Sequence, residues 1–210
     1  MTVFGGFTIG GRPIEFECRQ GTHDYATCVH LLGRDEYGLR GLILPAYGFM
    51  LDIGAYIGTI GVSMAVDGWD VICVEPLVEN QQMIALNADL NGTQVVIDER
   101  AASHVGWVDI PFGFKGDHFY VGGLEKTGPQ VARVQGVTIS DLMAEHELDH
   151  VDLMKIDCEG CEWDVLSDPA AKNIDTIVGE IHGRSQAKLR ELLDGHKVQF
   201  ISKYVFQATR

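Results

Sequence analysis

Positive charge is scarce in this chain of 210 residues, and the scarcity argues against several classes of partner. Only 16 Lys and Arg residues accompany 30 Asp and Glu residues, which gives a formal net charge of −14 and a pI near 4.8. Binding to a phosphate backbone depends on clustered Lys and Arg. We therefore expect neither a nucleic acid nor another large polyanion as partner.

Long hydrophobic runs and linkers are also missing. No stretch approaches the roughly 18 uninterrupted apolar residues of a membrane span, and no basic segment followed by an apolar run opens the sequence. We therefore expect no membrane insertion. Because no Pro-rich, Ser-rich or repeated segment divides the chain, residues 1–210 are expected to form one domain with a sizeable core.

Cysteine is sparse, with five residues at positions 18, 28, 73, 158 and 161. An odd number in a chain of this size is not typical of a disulfide framework, so we expect reduced thiols and a cytoplasmic location. Cys158 and Cys161 form a C-x-x-C pair, but no second pair completes a tetrahedral zinc site. We interpret them as two small residues that pack at a strand end.

The most informative segment that is present is Phe-Met-Leu-Asp-Ile-Gly-Ala-Tyr-Ile-Gly at residues 49–58. It predicts a buried strand, a glycine-rich turn and then a helix, which is an arrangement that holds nucleotide-like ligands. A second apolar strand at residues 70–74 ends before Glu75, about 20 residues after Gly54, and an acidic side chain at that distance can bind both hydroxyls of a ribose. The sequence thus predicts an adenosyl compound as ligand.

Two cofactor classes are compatible with this turn. A dinucleotide site uses the pattern G-x-G-x-x-G, whose middle glycine lets the backbone approach a pyrophosphate. Here Tyr56 occupies the middle position, and Asp52 would repel a pyrophosphate but attract the ammonium group of a methionine moiety. The turn favours S-adenosylmethionine over NAD, although one glycine-rich turn leaves both open.

Strands and helices are predicted to alternate along most of the chain. Residues 1–40 predict an N-terminal hairpin and a leading helix, and residues 41–182 predict a cofactor-binding core of apolar strands separated by helices. This alternation indicates an α/β fold with a parallel sheet covered on both faces. Residues 104–136, rich in glycine and aromatic residues, predict either a substrate loop or a pair of irregular edge strands.

Four separate segments resemble one family. They are Asp-Ile-Gly-Ala-Tyr-Ile-Gly at 52–58, Val-Glu-Pro at 74–76, Leu-Asn-Ala-Asp-Leu-Asn at 86–91, and Met-Lys-Ile-Asp-Cys-Glu-Gly-Cys-Glu at 154–162, with Glu-Ile-His following at 180–182. Together they resemble the FkbM family of S-adenosylmethionine-dependent methyltransferases over residues 36–182. The block at 155–162 is the most specific part, because it is similar to the family signature K-I-D-x-E-G-x-E.

The resemblance implies a class I methyltransferase fold, which is Rossmann-like, with a mostly parallel seven-stranded sheet whose last strand is antiparallel. It also implies methyl transfer, usually to a hydroxyl of a sugar or a secondary metabolite. Cys158 and Cys161 depart from the valine and alanine that are common in the family, but neither change removes a charged group. Residues 104–136 match poorly, so the acceptor stays open.

Several residues of the strand ends and the turn are candidates for binding the cofactor. Asp52 is expected near the ammonium group and Glu75 on the ribose hydroxyls. Asp98 or Glu99, after a third predicted strand, is expected near the adenine edge. The full set is Asp52, Gly54, Ala55, Gly58, Glu75, Asp98 and Glu99.

Titratable side chains after the fourth and fifth predicted strands are candidates for catalysis. Asp157, Glu159, Glu180 and His182 follow these strands, where ligands of parallel sheets bind. His182 ordinarily has the pKa suited to a base near neutral pH. Structural alternatives are a helix-capping Asp157, a histidine bonded into the core, and Glu159 and Glu162 bonded to backbone N–H groups of the turn. Our predicted catalytic set is Asp157, His182 and Glu159.

Taken together, these patterns predict an S-adenosylmethionine-dependent O-methyltransferase that acts on a small hydroxylated acceptor such as a sugar or natural-product intermediate. An N-methyltransferase, a nicotinamide-dependent oxidoreductase and a non-catalytic cofactor-binding module are the alternatives. A divalent metal is another way to activate a hydroxyl, but the sequence does not favour it and we assign no metal ligands.

Overall fold

The computed structural model describes residues 1–115, 118–121, 130–183 and 185–210. Among the helices in these ranges, none has the length and apolar character needed to cross a bilayer. The strands are β1 Thr2–Phe7, β2 Pro13–Cys18, β3 Phe49–Ile53, β4 Asp70–Val74, β5 Val96–Asp98, β6 Ala101–Ala102, β7 Trp107–Lys115, β8 His118–Val121, β9 Gln130–Val137, β10 Val151–Ile156, β11 Ile174–Glu180, β12 Lys197–Phe200 and β13 Val205–Thr209. The helices are α1 Asp24–Cys28, which a π-helical turn at Val29–Gly33 extends, α2 Thr59–Val66, α3 Val78–Leu90, α4 Ile139–Glu145, α5 Glu162–Ser167 and α6 Gln186–Leu192, with short 3₁₀ turns at Leu39–Gly41 and Pro169–Asn173.

A seven-stranded sheet in the order β12-β13-β11-β10-β3-β4-β5 forms the centre of the fold. Its strands pair in parallel except β13, which is antiparallel to both of its neighbours. Ile53 aligns with both Val74 and Ile156, so the carboxyl ends of β3, β4 and β10 meet at one edge. The predicted α/β fold and sheet are confirmed, and this edge is where such sheets bind ligands.

Burial on both faces of the sheet explains why the strands are continuously apolar. In β3, Met50 belongs to one core cluster with residues of α2 and α3, whereas Leu51 and Ile53 belong to a second cluster with residues of α4, α5 and α6. All three side chains are fully buried. Each contributes about 1.5–3 kcal/mol of hydrophobic stabilisation. The strand that leads into the glycine turn is therefore firmly held.

The N-terminal hairpin of β1 and β2 packs against α3. Asn87 on α3 and Asn91, which directly follows the helix, accept hydrogen bonds from the backbone N–H groups of Glu17 and Glu15, at 2.8 and 3.0 Å. Phe16 on β2 is fully buried in the core. Because the two asparagines are four positions apart, their side chains lie on the same side of the helix and can both bond N–H groups of one strand. The hairpin and α1 thus border the binding edge of the main sheet.

Within residues 104–136, the described residues from Trp107 onward form strands. β6, β9, β7 and β8 make a second sheet, in that order, in which β7 pairs antiparallel with both β8 and β9. Gly116, Gly122, Gly123 and Gly128, which contributed to the substrate-loop hypothesis, lie outside the described residues. The described part fits the edge-strand alternative.

Candidate active site

A cavity of about 430 Å³ opens at the carboxyl ends of β3, β4 and β10. Small-molecule sites in proteins typically measure about 300–1,000 Å³. The glycine turn, α1 with its extension, the start of α3, the segment around β6 and the turn after β10 form its walls. The lining residues include His23, Thr27, Leu31, Asp52, Gly54, Ala55, Tyr56, Glu75, Asn80, Ala101, Ala102, Ser103, Lys155, Asp157, Cys158, Glu159 and Cys161.

The glycine turn is in close contact with the turn that follows β10. Gly54 has a φ of 71°, and a Cβ atom there would lie 2.1 Å from the carbonyl oxygen of Asp157 and 3.0 Å from Cys158 Cα. Only glycine permits this approach. Gly58 has a φ of 79° at the start of α2. The turn therefore brings Asp157 beside the predicted cofactor-binding backbone.

Asp52 lies under this turn and pairs with a buried lysine that we did not predict as a site residue. Lys155 Nζ is 3.2 Å from Asp52 Oδ1 and donates to the carbonyl oxygen of Gly54 at 2.6 Å, and the N–H of Gly61 donates to Asp52 Oδ2 at 2.9 Å. Burial lowers the pKa of Lys155, but the nearby carboxylates, first Asp52, outweigh burial and raise it. An ammonium group bound at Asp52 would therefore share this carboxylate with Lys155. The K-I-D motif contains Lys155, but it does not indicate this role.

Glu75 is buried at the end of β4 and accepts three hydrogen bonds. Its Oε2 accepts from the N–H of Tyr56 at 2.9 Å, and its Oε1 accepts from the N–H of Leu77 at 3.0 Å and from Asn80 Nδ2 at 3.1 Å. Burial raises the pKa of Glu75 against the opposing effect of these bonds. Asn80, which we did not predict, lines the cavity on the first turn of α3. Its position five residues after Glu75 is the only sequence signal for it.

Asp98 and Glu99 are not among the described residues that line the cavity. Arg100 Nη2 binds Asp98 Oδ2 at 2.6 Å and Glu145 Oε2 on α4 at 2.6 Å. This pairing lowers the pKa of Asp98 although burial, the largest single effect, opposes it. The cavity wall here consists instead of the small residues of β6 and Ser103. A predicted adenine contact at Asp98 or Glu99 thus lacks support from the cavity geometry.

Asp157 lies directly after β10 and lines the cavity. Tyr37 donates its hydroxyl hydrogen to Asp157 Oδ2 at 2.7 Å. Burial raises the pKa of Asp157, against the opposing charge of Lys155 and the bond from Tyr37. The local sequence carries no signal for this contact, because Tyr37 lies 120 positions away.

His182, just after β11, is held by a buried carboxylate. Its Nδ1 lies 2.9 Å from Glu162 Oε1, and its Nε2 lies 3.9 Å from carboxylate oxygens of both Glu159 and Glu180. The bond to Glu162 is the main cause that raises the pKa of His182 to about 9, against burial. The premise that His182 keeps its ordinary pKa is therefore wrong. At neutral pH the side chain is an imidazolium, which has no nitrogen that can accept a proton. A catalytic role for His182 remains a prediction.

Cys158 and Cys161 form a disulfide, with their Cα atoms 5.5 Å apart. The expectation of reduced thiols is therefore wrong for this pair, although Cys18, Cys28 and Cys73 are free and buried. A C-x-x-C spacing is compatible with a disulfide, but the odd number of cysteines led to the expectation of reduced thiols. Both residues line the cavity next to Asp157 and Glu159, so the disulfide lies within the turn that contains these candidate catalytic residues.

The sheet order, the antiparallel last strand and a cavity at the carboxyl ends of the central strands define a class I S-adenosylmethionine-dependent methyltransferase. The chain belongs to the family of the methyltransferase FkbM domain, whose model matches residues 52–207. S-adenosylmethionine is therefore the cofactor, which decides between the two classes that the glycine turn left open. The resemblance found in the sequence is confirmed.

Two solved structures of methyltransferases are similar to this chain in fold. The T. thermophilus 16S rRNA N2 G1207 methyltransferase, in complex with AdoMet and guanosine, has a TM-score of 0.50 and 12% identity, over 100% of this chain and 50% of that chain. Precorrin-6y C5,15-methyltransferase from Geobacter metallireducens GS-15 has a TM-score of 0.48 and 14% identity, over 80% of this chain and 84% of that chain. None of the curated proteins compared with the chain matches it. Identities this low concern the fold alone.

Proposed function

We propose that this methyltransferase acts on a hydroxyl group of a small acceptor, such as a sugar or a secondary metabolite. The observation that carries the proposal is that Asp157 and Glu159 line the same cavity as Glu75 and the glycine turn. Methyl transfer to an alcohol needs a group that takes up the hydroxyl proton, whereas a neutral amine is nucleophilic without one. Two carboxylates in this place favour the alcohol.

Residues at the β4 side of the cavity support binding of the adenosyl moiety. A carboxylate has about four acceptor sites, and Glu75 uses three of them within the protein, so it can still accept from a ribose hydroxyl. Asn80 lies next to it, and the small side chains of Ala101 and Ala102 leave a flat wall for the adenine ring. We assign the adenosyl group to this side.

The charged pair under the glycine turn supports binding of the amino-acid moiety. Asp52 offers a negative charge and Lys155 a positive charge, which match the ammonium and carboxylate groups of an amino acid. Gly54 and Ala55, which line the cavity, have no bulky side chain that would block this approach. The ligand thus spans the distance from Glu75 towards Asp157.

The protein residues supply positioning and proton uptake. When bound, S-adenosylmethionine supplies an electrophilic methyl carbon, whose bond to sulfur breaks with both electrons remaining on sulfur. Holding an acceptor oxygen in line with that carbon removes much of the entropic barrier. Asp157 or Glu159 receives the hydroxyl proton, and His182 keeps a compensating positive charge among the carboxylates. A base of this kind contributes about 10²- to 10⁴-fold.

The proposed acceptor is a small molecule rather than a nucleic acid. The net charge of −14 and the carboxylates at the cavity would repel a phosphate backbone. The T. thermophilus enzyme methylates 16S rRNA, but at 12% identity its similarity concerns the fold. Competition by RNA in the methyl transfer assay would argue against the small acceptor.

The test of the acceptor is methyl transfer from a labelled donor to a panel of sugars, hydroxylated metabolites and amines, with the label located by mass spectrometry. We expect an O-methyl product and a rate that falls at least about 100-fold in Asp157→Asn or in the double variant with Glu159→Gln. Glu79→Gln, an exposed glutamate on α3, is the matched control. An N-methyl product, or variants as fast as the parent, would refute the proposal.

The test of the cofactor site is calorimetric titration of Glu75→Gln with S-adenosylhomocysteine. We expect binding about tenfold weaker or more, because one charged acceptor is replaced by an amide. Glu79→Gln should bind like the parent, and urea unfolding of both variants reports whether they fold. Unchanged affinity in Glu75→Gln would show that the ribose binds elsewhere.

A further inference from the structure

We infer that Asp157, Glu180 and His182 form a binding site for a divalent cation at the edge of the cavity. Each offers one ligand atom, and these atoms all lie within 4.8 Å of one another. Two donor atoms on one magnesium-sized ion, at about 2.1 Å each, lie roughly 3.0–4.2 Å apart. The 3.9 Å between His182 Nε2 and Glu180 Oε1 is in that range, and it is too long for a hydrogen bond.

Two of the three ligands are oriented by partners that occupy their other polar atom. Glu162 binds His182 at Nδ1, which leaves Nε2 for an ion, and Tyr37 binds Asp157 at Oδ2, which leaves Oδ1. The second nitrogen of a metal-binding histidine almost always bonds to a carboxylate, a backbone carbonyl or a water, and ligating carboxylates are themselves hydrogen-bonded. Glu162 and Tyr37 are both buried, so these orientations are fixed.

The charges around the site call for a cation. Four carboxylates surround the imidazole of His182, and the buried Lys155 is paired with Asp52. His182 Nε2 lies 3.9 Å from carboxylate oxygens of both Glu159 and Glu180. A divalent cation bound at Nε2 lies among these carboxylate oxygens, whose negative charge attracts it. The carboxylates are Asp157, Glu159, Glu162 and Glu180.

The donor set favours Mn²⁺ or Mg²⁺. Two carboxylate oxygens and one imidazole nitrogen make a mainly oxygen site, which suits hard cations, and the imidazole favours Mn²⁺. A structural zinc site would use sulfur and nitrogen ligands in a closed tetrahedron. Cys158 and Cys161 do not supply such ligands, because they are bonded to each other.

The role of the ion, but not its binding, depends on the proposed function. An ion here would bind the acceptor oxygen and lower the pKa of the hydroxyl group. Asp157 is then a ligand, and Glu159, which also lines the cavity, receives the hydroxyl proton.

The binding test is titration of chelator-treated protein with Mn²⁺, followed by electron paramagnetic resonance and calorimetry without a methyl donor. We expect one site in the parent, and affinity about 10- to 100-fold weaker in Tyr37→Phe, whose loss affects only the orientation of Asp157. Glu180→Gln and His182→Gln should lose the site. Titration with S-adenosylhomocysteine reports whether each variant is folded.

The matched control is His150→Gln. His150, Asp152 and Asp175 form another cluster of three potential ligands, at the opposite ends of β10 and β11. His150→Gln should bind Mn²⁺ like the parent. Absence of binding in the parent, binding lost only in His150→Gln, or parental affinity in both Glu180→Gln and His182→Gln would each overturn the inference.

The role is tested separately by methyl transfer in chelator, with Mn²⁺ or Mg²⁺ added back. We expect activity to fall at least tenfold and to return with the metal. Full activity in chelator, with Mn²⁺ bound in the titration, would refute the role and keep the site. If no hydroxyl acceptor is methylated while Mn²⁺ binds as expected, the proposed function fails and the cation site stands.

Discussion

Glu162 joins two parts of the candidate site through a single carboxylate oxygen. Its Oε1 accepts from the N–H groups of Cys158 and Gly160 at 3.3 and 3.1 Å and lies 2.9 Å from His182 Nδ1. The contacts to the turn follow from the sequence, because an acidic residue two to four positions on can reach backbone N–H groups. The contact to His182 does not, since it requires β11 to lie beside β10. One residue thus links the catalytic turn to the next strand.

The disulfide in this turn leads to a prediction about thiol counts. Without reductant, the unfolded protein should react with a thiol reagent at three cysteines per chain, and after reduction at all five. The folded protein should react slowly throughout, because the three free thiols are buried. Mass spectrometry of the labelled chain gives the counts.

The control for the thiol count is the double variant Cys158→Ser and Cys161→Ser. It should show three reactive thiols with or without reductant. Five reactive thiols in the unreduced parent would contradict the disulfide.

At the scale of elements, the site depends on two turns at neighbouring strand ends. Gly54 follows β3 and Asp157 follows β10, and the two backbones are in contact because these strands pair in register. Gly61 has a similar role one turn into α2, where a Cβ would lie 2.6 Å from Cys73 Sγ on β4. Gly54 and Gly61 thus both allow close packing against a neighbouring element, as glycines in such motifs do.

Replacement of Gly54 by Ala should destabilise the protein strongly and weaken binding of S-adenosylhomocysteine. The new Cβ would overlap the carbonyl oxygen of Asp157 at 2.1 Å, so one turn has to move. Gly92→Ala is the matched control, because Gly92 also has a positive φ, of 63°, but open space around it. That control should cost only about 1 kcal/mol.

Urea unfolding and calorimetry are carried out on both variants. Both have the backbone strain of a positive φ, but only Gly54→Ala creates the overlap with Asp157, so the difference between the two variants measures the effect of the overlap. Equal losses of stability and unchanged binding in Gly54→Ala would mean that the contact between the turns does not matter.

At the scale of the whole molecule, one hydrogen-bond network connects the N-terminal segment to the glycine turn and to α3. Arg19 binds both oxygens of Asp24 at 2.9 and 3.0 Å and also binds Asn80 on α3 at 2.9 Å. Tyr56, in the glycine turn, donates its hydroxyl hydrogen to Asp24 at 2.5 Å. A paired, bidentate carboxylate of this kind is strongly held. The segment before β3 is therefore part of the cavity wall.

Asp24→Asn should lower the free energy of unfolding by about 3 kcal/mol at neutral pH, because it leaves Arg19 without its buried partner. Burial raises the pKa of Asp24, but the bonds from Arg19 and Tyr56 outweigh it and lower the pKa below its usual value. This stabilisation is fully present above the unfolded pKa of about 3.9 and is lost as the pH falls through the lower folded pKa.

Urea unfolding from neutral to acid pH should therefore show the difference between parent and Asp24→Asn shrinking only below about pH 4. Asp89→Asn, an exposed aspartate on α3, is the control and should change stability little at any pH. A constant difference down to strongly acid pH would mean that Asp24 is not the group responsible.

Local pattern was sufficient for much of the fold. A buried strand ahead of the glycine turn was predicted within residues 49–58, and it lies at Phe49–Ile53, because a continuous apolar run next to glycine depends on few long-range contacts. The second strand, at 70–74, was likewise predicted correctly. The ion pairs that join Arg100 to Asp98 and Glu145, and the disulfide between Cys158 and Cys161, were not predicted, because each is one of several pairings that the same residues permit.

The sequence by itself determined the alternation of strands and helices in the main sheet, the glycine turn and the family, because periodicity and short motifs are properties of neighbouring residues. Only the tertiary structure decided which polar side chains are in contact: Lys155 with Asp52, Tyr37 with Asp157, and Glu162 with His182. The physical reason is that the pKa and the ligand geometry of a side chain depend on its neighbours in space. Those neighbours come from different strands once the sheet has formed.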